Sequence, residues 1–322
     1  MGNIITIIGA AGKMGKWFFD YFNCIRQEDR HNLKKINNIN LIVETIVLYD
    51  IKKIDYFMEK QNKNIVISSD ISHSIRNSDI VIFCIPANEI IDLVNSNAKF
   101  FKKNAIVIEI SSVKSKTYKI LSELSLKIDI IPLCIHPMFG PGASISSINK
   151  IIFVPVNKQR SKIEEDALDN IFPHFEKITI EDPHKHDLAI SVIISLIYFI
   201  NIVFSKFLID LSNIEDFKFD QNILHFFKKI SGSSFKIQSL LSESILTDDP
   251  SLFLTLFVDN DTTVPIVQKY RLLFNQLLGG IEKKDKKFIK EFVQITKSNI
   301  TGEGVDINNS YDMIYKFLNS HK

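Results

Sequence analysis

An apolar run, Asn3-Ile-Ile-Thr-Ile-Ile8, ends directly on the turn Gly9-Ala-Ala-Gly12-Lys-Met-Gly15. Beyond the turn, Met14, Trp17, Phe18, Tyr21 and Phe22 recur at helical spacing. Strand, glycine turn and helix in that order form the first βα unit of a doubly wound α/β sheet. Such a turn needs positive φ, a backbone that a phosphate can approach, and a helix packed close to the strand. The helix N-terminus then faces the phosphate charge. The G-x-x-G-x-x-G spacing is a variant of the dinucleotide fingerprint, and directly after a first strand it predicts a cofactor site at Gly9, Ala11, Gly12, Lys13, Met14 and Gly15. The fingerprint also expects an acid about 20 residues on, at the end of the second strand. Asp50 holds that place, 35 residues past Gly15, which makes the polar stretch 26–40 an insertion. A carboxylate there accepts the ribose hydroxyls and repels a 2′-phosphate, so NAD is expected; Lys52 and Lys53 follow closely and keep NADP open.

Further apolar runs predict strands at 41–48, 65–67, 80–85, 105–110, 128–135 and 151–156. They are continuous and not alternating, which indicates a parallel sheet covered on both faces by helices. Pro132 within the sixth run predicts an edge or bulged strand. From about Asp187 the strand signals stop and helical segments follow at 187–211, 222–246, 250–259, 262–280 and 284–299. The expected organisation is a Rossmann-type domain over 1–182 and an all-α domain over 183–322.

Composition narrows the function. Lys+Arg 39 against Asp+Glu 37 leaves +2, without the cationic excess of a nucleic-acid binder. The basic runs Lys34-Lys35, Lys283-Lys284 and Lys286-Lys287 are short and read as solvated faces. Cys24, Cys84 and Cys134 lie far apart, which excludes a disulfide framework or zinc ribbon and predicts a reducing, cytoplasmic compartment. No cationic leader precedes the first strand, so no signal peptide is expected. Leu188 to Ser205 carries no charge over 18 residues, the lower bound for a membrane span. Ser191, Ser195, Asn201 and Ser205 interrupt it, and His186-Asp187 and Lys206 bracket it, so the expectation is the central helix of a bundle and no membrane.

Ligands of such folds bind outside the carboxyl ends of the strands. Those ends carry Ile85-Pro86, Ser111-Ser112-Val113-Lys114 and His136-Pro137-Met138-Phe139-Gly140-Pro141. Ile85, Pro86 and Ser111 are therefore candidate cofactor contacts. His136 suits accepting a proton from an alcohol as hydride leaves the same carbon. Ser112 is placed to hold that hydroxyl or to orient the imidazole. His184-x-His186 lacks a third ligand nearby, so no metal site is expected, and Asp187 reads as a cap or salt bridge where the helix begins.

His-Pro-Met-Phe-Gly-Pro at 136–141 resembles the signature of prephenate dehydrogenases, and the resemblance extends over Gly9–Trp17, Phe83–Glu89, Ser112-Val-Lys, His186-Asp187 and Asp249-Pro-Ser-Leu-Phe. It implies NAD-dependent oxidative decarboxylation of prephenate or a close analogue such as its ring-amino form, with His136 and Ser112 catalytic. It also implies a homodimer built through the helical domain. Two positions depart from the family pattern. Twelve residues past His186 a substrate-facing histidine is replaced by Tyr198, and five before Asp249 a carboxylate-binding arginine is replaced by Ser244. No arginine lies between Arg160 and Arg271, which leaves Lys236 among the candidate substitutes for the small carboxylate substrate. Glu109 stands where the family often has aspartate. The chain leaves no room for an appended regulatory domain, so no feedback control through one is expected. The competing reading is a degenerate relative that binds the dinucleotide without turnover. Gly9–Gly15 is also similar to dihydrodipicolinate reductase, but the histidine and basic cluster which that family needs in its second domain is missing here.

Overall fold

The computed structural model describes residues 2–27, 41–211 and 223–319, so most of the polar insertion, with Lys34-Lys35, lies outside the described residues. Tertiary contacts divide the chain into two units, Met1–Ile190 and Ser191–Lys322.

Among the described residues the first unit has eight strands: β1 (Asn3–Ile8), β2 (Val43–Tyr49), β3 (Ile65–Ile67), β4 (Ile80–Phe83), β5 (Ile106–Glu109), β6 (Ile131–Pro137), β7 (Lys150–Val154) and β8 (Glu176–Thr179). Their order across the sheet is β3-β2-β1-β4-β5-β6-β7-β8. All neighbours are parallel except β6 and β7. Helices α1 (Lys13–Arg26), α2 (Asp55–Met58), α3 (Ile71–Asn77), α4 (Ala87–Asn97), α5 (Ser115–Lys127), α6 (Ser161–Ile171) and α7 (Pro183–Ile190) complete it. Successive strand residues point to opposite faces. Ile80 and Ile82 of β4 thus join Phe18 and Phe22 of α1 in one core, while Val81 and Phe83 join Ile90 of α4 and Leu121 of α5 in another. Every β4 residue is buried, which is why the run reads as continuously apolar.

Two sheet expectations need correction. β6 is not at an edge: β5 pairs with one side and β7 with the other. The Ile131 amide donates to Ala105 toward β5, so Pro132 turns its missing donor to the opposite side. The ladder to β7 begins only at Cys134, and Pro132 therefore costs no sheet hydrogen bond. The edge on that side is β8, absent from the strands expected from sequence. Glu176-Lys-Ile-Thr is too short and too exposed to show an apolar pattern.

The boundary between units also falls later than expected, at Ile190/Ser191 instead of 182/183. The physical reason is Asp187, whose carboxylate accepts the Lys114 amide at 2.7 Å and the Ser115 amide at 2.9 Å. These bonds hold α7 to the beginning of α5.

The second unit is helical, with segments Ile197–Asp210, Ile223–Ile230, Ser233–Ile245, Pro250–Leu254, Thr263–Glu282, Lys286–Gly302 and Ile307–Asn319. Asn201 Oδ1 accepts Gln238 Nε2 at 2.7 Å and Ser242 Oγ at 2.6 Å, which ties two of these helices together. The apolar helix is not the buried centre of a bundle. It runs over Pro183–Asp210, and only 22% of its most apolar window is covered. Val192, Ile193, Val203, Phe207 and Ile209 stay exposed within the chain. By length and composition alone this helix could cross a membrane.

Candidate active site

The phosphate turn has the geometry its glycines predict. Gly9 has φ +87°, and a Cβ there would overlap the Cys84 carbonyl. A Cβ on Gly15 would run into Gly9 O and Ala10 Cα, both rigid backbone, so the close helix–strand approach depends on glycine. Gly9 and Ala10 donate to Tyr49 O at 2.9 and 3.2 Å, and Gly12 N donates to Gly9 O at 3.1 Å. Gly12 caps α1, so Lys13, Met14 and Gly15 form the first helical turn at the mouth of the loop. Ile85 reaches the same place, with its Cγ2 beside the position of a Gly9 Cβ. Pro86 caps the N-terminus of α4.

Asp50 does more than its sequence position suggests. Its Oδ2 accepts the Ala11 amide at 2.8 Å and its Oδ1 the Lys52 amide at 2.8 Å. The carboxylate therefore braces the turn from the carboxyl end of the second strand. Each oxygen has a further lone pair for a ribose hydroxyl.

His136 lies at the carboxyl end of β6 and is buried. The segment after it is anchored by α1: Trp17 Nε1 donates to Ala143 O at 2.8 Å, and the Trp17 ring lies 4.7 Å from that of Phe139. The imidazole is oriented by His186 and not by Ser112. His136 Nδ1 is 3.1 Å from His186 Nε2, and His186 Nδ1 is 2.9 Å from Asp187 Oδ1. Ser112 is half-buried in the turn after β5. Ser111 is committed locally, its Oγ lying 2.6 Å from Glu109 Oε2 and 2.9 Å from Val113 O.

Beneath His136 lies a buried ion pair that sequence reading did not find. Lys114 Nζ, fully buried, contacts Glu109 Oε1 at 2.5 Å and also donates to Ile135 O. Cys134 Sγ lies 2.9 Å from the same Glu109 oxygen. Burial first, then the Lys114 ammonium and His186, hold the His136 imidazole well below its usual range. His186 is lowered too, chiefly by burial, against the opposing pull of Asp187. Burial pushes the Asp187 carboxyl up, but its bonds to His186, Lys114 and Ser115 outweigh this and leave it below the ordinary value. At neutral pH both imidazoles are uncharged and the carboxylate is ionised.

The candidate substrate residues all lie in the helical unit. Tyr198 OH donates to Asp248 Oδ2 at 2.6 Å, and burial followed by that carboxylate raises the phenol. Ser244 turns its hydroxyl to Leu241 O of its own helix, and Lys236 is exposed. A cleft of about 670 Å³ opens over α1, lined by Lys13, Lys16, Trp17, Tyr56 and Ala143–Ser146; His136 does not line it.

A mostly parallel sheet with this glycine turn at β1 and a strand-end histidine at β6 defines a Rossmann-type fold, followed in the chain by a helical unit. The family model described as prephenate dehydrogenase, nucleotide-binding domain, matches residues 40–155. Over that stretch the chain is similar to the prephenate dehydrogenase family. It is similar to the T-protein of Haemophilus influenzae, with 21% identity over 224 residues, 68% of this chain and 55% of that protein. It thus spans about half the length of this curated relative. Among solved structures it is similar to prephenate dehydrogenase from A. aeolicus in complex with hydroxyphenyl propionate and NAD+, at TM-score 0.67 and 17% identity, covering 94% of this chain and 98% of that one. Synechocystis arogenate dehydrogenase follows at TM-score 0.61 and 16% identity, covering 93% and 99%.

Proposed function

We propose that the chain is an NAD-dependent dehydrogenase that oxidatively decarboxylates prephenate to 4-hydroxyphenylpyruvate, or a close cyclohexadienyl analogue such as 4-amino-4-deoxyprephenate. The observation that carries this is a buried, neutral imidazole, His136, at the same carboxyl edge of the sheet as the phosphate turn. Gly9 and Gly15 form a cradle that a Cβ would fill, which fits a pyrophosphate, and Asp50 fits a ribose without a 2′-phosphate. When bound, NAD+ would supply the hydride acceptor. His136 would take the proton of the ring hydroxyl, and loss of carbon dioxide would aromatise the ring. Ser112 would sit beside that hydroxyl.

Tyr198, Ser244 and Lys236 are proposed for the substrate half. Tyr198 already gives its proton to Asp248, so it offers the substrate an acceptor oxygen. Ser244 already donates its hydroxyl to Leu241 O and does not replace the bidentate, charge-assisted pair of a guanidinium. The Tyr198 acceptor favours a substrate with an additional donor, such as the ring-amino analogue, over the one with a hydroxyl.

Purified protein with NAD+ and each cyclohexadienyl acid in turn is expected to show growth of the reduced-nicotinamide absorbance with at least one of them. Dinucleotide binding without turnover on any of them would instead identify a non-catalytic relative.

The exposed apolar side chains Val192, Ile193, Val203 and Phe207 are proposed to be covered by a second copy of the chain, as a cytoplasmic homodimer without membrane or nucleic-acid partners. Sedimentation in detergent-free buffer is expected to give a dimer. A chain that stays dispersed only in detergent would overturn this.

A further inference from the structure

We propose that His186 and Asp187 act as positioning residues that lock His136 in the tautomer with its proton on Nδ1 and its lone pair on Nε2. This rests on the dehydrogenase reading above and adds to it the atom that receives the proton.

The proton positions follow from donor and acceptor counting along the chain of bonds. Asp187 accepts the Lys114 amide, the Ser115 amide and the Ser115 hydroxyl, three bonds that an ionised carboxylate satisfies and a protonated one would disturb. Its Oδ1 stands 2.9 Å from His186 Nδ1, so that nitrogen must be the N–H donor. A neutral His186 then has only a lone pair on Nε2. His136 Nδ1, at 3.1 Å, must donate to it. His136 Nε2 is left unprotonated, ready to accept.

The alternative tautomer, with the His136 proton on Nε2, would need His186 protonated on both nitrogens. That places an imidazolium in a pocket where His186 is fully buried and the Lys114 ammonium is already present. Of the charged groups packed around this pair, Lys114 opposes such a cation, while Glu109 is taken up by Lys114, Ser111 and Cys134. Asp187 is the carboxylate that bonds the pair directly. After proton transfer the same alignment stabilises the new His136 imidazolium, because its Nδ1–H still points along the chain to a carboxylate. The proton lost by the substrate hydroxyl ends on His136 Nε2, and no proton need cross His186.

The test separates the tautomer from turnover. Two-bond ¹⁵N–¹H correlation spectra of the full chain labelled in histidine are expected to show His136 protonated at Nδ1 and not at Nε2. His186→Leu should remove the preference and lower kcat by ~10–10²-fold, less than the ~10⁴-fold seen when a triad forces the wrong tautomer. KM values should change little. His186→Gln keeps an acceptor toward His136 and a donor toward Asp187, and is expected to restore both the tautomer and most of kcat. An Nε2–H tautomer in the unaltered chain would overturn the proposal. So would native turnover in His186→Leu, or no rescue by a folded His186→Gln. If His186→Leu does not fold, the spectrum of the unaltered chain still decides. If no cyclohexadienyl acid is oxidised while the tautomer is as expected, the dehydrogenase reading fails and the relay stands.

Discussion

Replacing His136 by asparagine is expected to lower turnover by ~10²–10⁴-fold, the usual contribution of a positioned general base. Affinity for the dinucleotide should hardly move. The phosphate turn is built from Gly9, Gly12, Gly15 and Asp50, and its bonds run to Tyr49, Ala11 and Lys52. None of them involves β6. Asparagine is smaller than histidine and can still donate one hydrogen bond toward His186, so the buried pair is not left wholly unsatisfied. Steady-state kinetics with titration of NAD+ by intrinsic fluorescence separates the outcomes. A parallel collapse of turnover and cofactor affinity would show that His136 serves the fold and not the chemistry.

What could be read from the sequence, and what could not, divides along the range of the interactions. The phosphate turn was legible because its demands are local: positive φ at Gly9 and close approach at Gly15 involve neighbours in one βα unit. The position of His136 at the carboxyl end of β6 was legible once that run was recognised as a strand. His186 was not. Its role depends on a contact across 50 residues, made when α7 docks on α5 through Asp187. In the sequence, His184-x-His186 before a long helix offered only a capping or metal reading. The adjacent Asp187 was the available clue, since a carboxylate next to a histidine can fix its tautomer.

Charge gave no signal of burial. Glu109 at the end of β5 and Lys114 at the start of α5 are residue types usually found in water, yet both are fully buried against each other. Apolar periodicity misled in the helical unit for a different reason. A stripe such as Val192, Ile193, Val203 and Phe207 shows that a face must leave water but not whether its cover comes from the same chain. The short edge strand β8 carried too few apolar residues to stand out.

The buried ion pair leads to the second large effect. Lys114→Met keeps the stem of the side chain and removes the ammonium, leaving Glu109 buried with only Ser111 and Cys134 as partners. Breaking a buried pair from one side typically costs 3–5 kcal/mol, because the remaining charge is uncompensated. The Ile135 carbonyl also loses its Lys114 donor. A destabilisation of about 3–5 kcal/mol is therefore expected for the first unit. The chain's single tryptophan, Trp17, lies in that unit and reports its unfolding in urea. Adding Glu109→Gln removes the stranded charge, so the double variant should recover part of the loss. Kinetics supply an independent arm. Lys114 is one of the groups that depress the His136 imidazole, so its removal raises the folded-state pKa of His136. Protonation then sets in at higher pH, and the acid limb of kcat/KM should move upward in Lys114→Met. A variant as stable as the unaltered chain, or a double variant no more stable than the single one, would rule out the strained-charge account. An unmoved acid limb would separate Lys114 from the histidine it lies beneath.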